Sequence, residues 1–145
     1  MEFYQGGESV RYTTNYSLKK PEISDYVFVD AFNANADVID RELKAAETRT
    51  KNAERVVEIT LYASKWSSVA PYSQTVSVPG MKSTDVITVM SAVTASTSAE
   101  TADMWEKMAG MVKAGIAQNG QATFYCHKKK PTSDFKIKLK GVSST

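Results

Sequence analysis

The spacing of apolar and small residues between positions 32 and 57 constrains this chain more than any other feature. Phe32, Ala36, Ile39, Leu43, Ala46, Thr50, Ala53 and Val57 recur at alternating intervals of four and three. That is a heptad seam. Phe32, Ile39, Ala46 and Ala53 share one core position, and Ala36, Leu43, Thr50 and Val57 share the other. Asp30, just ahead of the seam, suits an N-cap and the positive end of a helix. A helix is therefore expected over 30–54. Asp37, Asp40, Arg41, Glu42, Lys44, Glu47, Arg49, Lys51 and Glu54 lie outside the seam as a solvated surface.

A helix packed on a globular core usually shows a broader apolar stripe. A seam this narrow has two possible partners: the C-terminal part of its own chain, or copies of itself in a short parallel bundle. In the bundle, Phe32, Ile39, Leu43 and Ala46 would carry the oligomeric contact. The small Ala and Thr positions weaken the seam, so neighbouring contacts would have to help hold it.

The flanks differ in kind. Residues 1–29 scatter aromatics (Phe3, Tyr4, Tyr12, Tyr16, Tyr26, Phe28) among Gly6, Gly7 and Pro21 without periodicity. They read as an extended arm or short strands, ordered by docking on a partner. Residues 55–145 read as a compact β-rich domain. Val57, Ile59, Leu61 and Ala63 alternate with polar residues. Val76 and Val78 precede a Pro79-Gly80 turn, and 85–93 is rich in Val, Ile and Thr. Thr97 to Glu100 spells a capping box with Thr97 as N-cap. A second helix is expected from there through Ile116, ended by Asn119-Gly120. Strands at 122–128 and 134–142 complete a β-β-β-α-β-β order. The expected class is α+β, with a sandwich-like domain after the arm and the helix.

Composition closes off most chemistry. A chain of 145 residues can bury roughly two-thirds of its unfolded surface, enough for a real core. One cysteine, Cys126, leaves no internal disulfide or multi-cysteine zinc site, and one histidine, His127, leaves no two-imidazole chemistry. Neither a phosphate loop nor a membrane-length apolar run occurs, and the start does not read as a signal peptide. Cys126 and His127 are adjacent, so on a strand they face opposite ways. The carboxylate pairs sit on the charged helix exterior. No enzyme activity, cofactor or metal is expected.

Net charge is +2, too small to imply a nucleic-acid partner. Lys136, Lys138 and Lys140 alternate with Phe135, Ile137 and Leu139, which reads as lysines guarding a sheet edge, with Lys128–Lys130 in a turn. Trp66 and Tyr72, in a Ser/Pro-rich loop, are candidate ligand contacts for stacking on a sugar, or they cap the core.

Two stretches resemble a known family. The first is Tyr16-Ser17-Leu18-Lys19-Lys20-Pro21-Glu22, followed by Asp25, Val27, Val29, Asp30, Asn33, Asn35 to Asp40, Glu42 and Leu43. It is similar to the N-terminal segment of tail-fibre and baseplate-associated proteins of tailed phages, and related phage-like particles, of Gram-positive hosts. The second is Trp66 with Pro71 to Val78 and Asp85, plus Ala122 to Cys126 and Lys136 to Val142. It resembles a small β-rich module at the C-terminal ends of similar phage structural proteins. The resemblance implies a virion protein made in the host cytoplasm, attached to other virion proteins through residues 1–29 and assembled as a homotrimer. No long fibre shaft separates the two parts, which favours a short fibre, plug or adaptor. A capsid decoration or head fibre, and a module that binds host-surface glycan, are the alternatives.

Overall fold

The computed structural model describes residues 11–20 and 29–144. The chain divides into two compact units, Met1–Arg49 and Thr50–Thr145. Residues 1–10 and 21–28, most of the expected arm, lie outside the described residues, as does Thr145.

In the first unit, β1 (Arg11–Tyr12) and β2 (Lys19–Lys20) form a small antiparallel hairpin. Its turn is closed by Ser17 N–H donating to Thr13 O, with Ser17 at a φ of 53°. The hairpin is tied to the helix α1 (Val29–Glu54) through one side chain. Asn35 Nδ2 donates to Lys19 O and Lys19 N–H donates to Asn35 Oδ1, both at 2.9 Å. The amide thus offers Lys19 the pair of bonds that a neighbouring strand would. Asp30 lies within the first helical turn rather than at the cap, where its charge still suits the helix end. The seam ends at Ala53, because Val57 belongs to the next strand.

The second unit is built on two three-stranded antiparallel sheets. One contains β3 (Val56–Leu61), β8 (Phe135–Lys140) and β5 (Thr88–Ser91), with β8 in the middle. The other contains β4 (Tyr72–Ser77), β7 (Gln121–Cys126) and β6 (Ala114–Gln118), with β7 in the middle. The alternation read from sequence explains the packing. Ile59, Leu61, Phe135, Ile137 and Leu139 from one sheet join Ala122, Phe124 and Cys126 from the other in a single buried cluster. The helix α2 (Ala99–Ala109) adds Met108 to it, with Met104 and Trp105 packed alongside. The fold class is α+β.

Four local expectations are corrected. First, α2 is capped by Ser98, whose hydroxyl accepts from Thr101 N–H at 3.2 Å. Thr97 instead closes the preceding turn on Thr94. Second, α2 stops at Ala109, and residues 114–118 form β6, so the order after α1 is β-β-β-α-β-β-β. Asn119-Gly120 turns the β6–β7 hairpin, with Gly120 at a φ of 76°. Asn-Gly between strands is a strong hairpin signal. Gly115, opposite Phe124, leaves room for the Phe124 ring, which an added Cβ would approach to 3.3 Å.

Third, the strand expected over 85–93 is confined to Thr88–Ser91. Asp85 is held in a turn by its N–H donating to Lys82 O. Fourth, Lys136, Lys138 and Lys140 do not guard an edge. β8 is the central strand of its sheet, paired with β3 along its whole length and with β5 from Ile137 to Lys140.

Candidate oligomerisation face and ligand-contact residues

Along α1, Phe32, Ile39 and Leu43 are 55%, 46% and 66% exposed, and Ala46 is half-buried. No residue of the helix is buried. The heptad spacing puts these four side chains on one stripe. Ion pairs flank it within the helix: Arg41–Glu42 at 3.4 Å and Lys44–Glu47 at 3.1 Å. Both pairs are exposed and contribute little to stability. Burial of the seam side chains would outweigh them, because fully burying one Ile or Leu is worth about 1.5–3 kcal/mol.

Trp66 and Tyr72 do not form an open platform. Trp66 is 6% exposed and belongs to the core cluster. Its indole Nε1 is buried without a hydrogen-bond partner. Tyr72 is half-buried, and one face of its ring lies under Lys130 Nζ, 5.4 Å from the centroid. That cation–π contact and the bond from Lys130 Nζ to Ser67 O at 3.5 Å fold the lysine back over the loop.

Cys126 is fully buried and His127 exposed, as alternation along β7 and beyond requires. Burial pushes the Cys126 thiol up, and the charge of Lys113 only partly opposes this. The thiol therefore stays protonated and unreactive at neutral pH. Among the described residues no group of three or more His, Cys, Asp or Glu side chains converges as a metal site would require. Among the same residues no helix is long and apolar enough to cross a membrane.

Several residues that organise the fold carry no signature in the sequence pattern. Gln74 lies buried on β4 and donates and accepts across to Tyr62, joining the two sheets. Asp85 receives Lys82 N–H at 3.0 Å and Ser143 N–H at 2.9 Å on Oδ2, and the Ser143 hydroxyl at 2.6 Å on Oδ1. Arg55, between α1 and β3, donates to Ser143 O and to Pro79 O. Asn52, in the last turn of α1, accepts from Ser144 N–H and its hydroxyl. The C-terminal segment thereby ties down the last turn of α1 and the residue that follows it.

No family model matches the chain, and no curated protein or solved structure matches it either.

Proposed function

We propose that this protein is a virion structural subunit, a short tail fibre or a tail or baseplate component of a phage particle. It attaches through residues 1–29 and assembles as a homotrimer through α1. The observation that carries the reading is the exposure of Phe32, Ile39 and Leu43 at heptad spacing on a helix with no buried residue. A stripe of this kind is stable in water when copies of it pack together. The resemblance of residues 16–43 and of the β-rich module to phage structural proteins supplies the biological setting.

Within the second unit, Asn52 and Arg55 are bonded to Ser144 and Ser143. The reading requires no reaction, cofactor or metal.

Immunogold labelling of purified particles tests the proposal. An antibody against the β-rich unit is expected to decorate one fixed position, on the tail or baseplate. Decoration of the capsid surface would move the protein to the head-fibre alternative. Absence of the chain from purified particles by mass spectrometry would remove the virion assignment.

A further inference from the structure

The lysines of β8 lose their edge-guarding explanation because β8 is central. Lys140, Lys138 and Lys136 stand directly opposite Val56, Glu58 and Thr60 of β3. Lys140 and Lys138 also stand opposite Thr88 and Met90 of β5. Directly paired residues share a face, so all of these lie on the outer side of the sheet, away from Phe135, Ile137 and Leu139. The result is three lysines at alternate positions of one strand, on one face of the sheet. Alternate residues of a strand repeat every 6.4–6.8 Å or so.

One amine already holds a carboxylate. Lys136 Nζ lies 2.9 Å from Glu58 Oε1. Among the described residues, no ion pair joins Lys138 or Lys140 to a carboxylate.

From this face we infer that the outer side of the β3-β8-β5 sheet docks an acidic, partly apolar, extended segment of another protein. Charge complementarity fixes the sign of the partner. The flanks fix its class. Val56 and Met90 are 46% and 42% exposed beside the row, and such apolar margins suit a polypeptide rather than a sugar-phosphate chain. The residues paired with the row on β3 and β5 include no aromatic ring, and the exposed Tyr62 lies past the end of the paired register, so successive bases of a single strand would find no stacking platform along the lysines. An extended peptide with carboxylates on alternate residues has the same repeat as the row. The inference stands on the β-rich unit alone and does not depend on assembly through α1.

The test uses the full-length protein and a synthetic peptide of about ten residues alternating Glu with Val and Thr. A control peptide has the same composition with its Glu residues in one block. A thymidine oligonucleotide serves as the nucleic-acid probe. By calorimetry or fluorescence anisotropy at low salt, the alternating peptide is expected to bind about tenfold more tightly than the block peptide, and to weaken as salt rises. The double variant Lys138→Gln/Lys140→Gln should lose this binding. Lys138→Arg/Lys140→Arg should keep it, and so should Lys107→Gln/Lys129→Gln, which removes equal charge elsewhere. Circular dichroism on each variant separates lost binding from lost fold. Equal binding of the two peptides, undiminished binding by the folded Gln variant, preference for the oligonucleotide, or no binding at low salt would each overturn the inference.

Discussion

Gln74 and Tyr62 form a two-point bridge between the sheets: Gln74 Nε2 donates to Tyr62 O at 2.8 Å, and Tyr62 N–H donates to Gln74 Oε1 at 2.9 Å. Tyr62 follows the last residue of β3, and Gln74 lies within β4. One side-chain amide therefore satisfies the backbone where β3 ends and fixes how the two sheets meet. Gln74 is also buried, so water cannot readily replace it.

Replacing Gln74 with Leu should destabilise the β-rich unit. Each backbone group left buried and unpaired costs about 1–3 kcal/mol. Two such groups put the loss at about 2–6 kcal/mol if neither finds water. Urea unfolding checks this. The midpoint should fall while the slope stays near that of the wild type.

Asp85 gives the unit an acid-sensitive tie. Burial alone would raise its carboxyl, but the Ser143 hydroxyl, the Lys82 and Ser143 amides and the Lys82 charge together hold it below the ordinary value. A carboxyl depressed in the folded state adds stability that is fully present above the unfolded value of about 3.9. That stability is lost as pH falls below this value and through the lower folded one. Asp85→Asn should therefore be less stable than wild type at neutral pH, and the difference should shrink in strong acid. Thermal midpoints of the two proteins across pH measure it. A gap that widens in acid would mean that Asp85 is not the titrating tie.

Gly141 sits where no side chain fits. Its φ is 93°, and an added Cβ would lie 2.6 Å from Val86 O. This close approach precedes buried Val142 and the bonds of Ser143 to Asp85. Gly141→Ala should cost about 1–3 kcal/mol from backbone strain, and more if Ser143 is pulled from its partner. Gly120→Ala is the control. It shares a positive φ but has open space around the added atom, so it should cost less. Equal losses in the two variants, measured by urea unfolding, would place the effect in the backbone angle alone.

What is legible in the sequence is local and periodic. The α1 seam and the alternation of Phe135, Ile137 and Leu139 are both short-range patterns, and both elements form where those patterns run. Asn119-Gly120 shows where local reading divides. A left-handed residue ends a helix or turns a hairpin, and Met111, Val112 and Ile116 also fit a helical stripe. Pairing with β7 makes the choice, through contacts that the window 97–120 does not contain. Strand order is still less local. Nothing within Phe135–Lys140 says that both of its flanks are covered by β3 and β5, so the pattern of its lysines fits an edge strand equally well. Asn35 and Gln74 give no local signal for a related reason. Asn35 is a polar residue on a solvated helix and Gln74 a polar residue on the buried side of its strand, and the role of each is set by a backbone partner distant in sequence.

The central claim is that α1 assembles copies of this chain, and the solution molar mass tests it most directly. Light scattering coupled to size exclusion is expected to give three times the 15.9 kDa of one chain. In Ile39→Asp/Leu43→Asp, charge in the seam should dissociate the bundle, since burying it would cost several kcal/mol. That variant should elute at the mass of a single chain while its β-rich unit stays folded. A wild-type protein that remains at the mass of one chain across all accessible concentrations would contradict the claim.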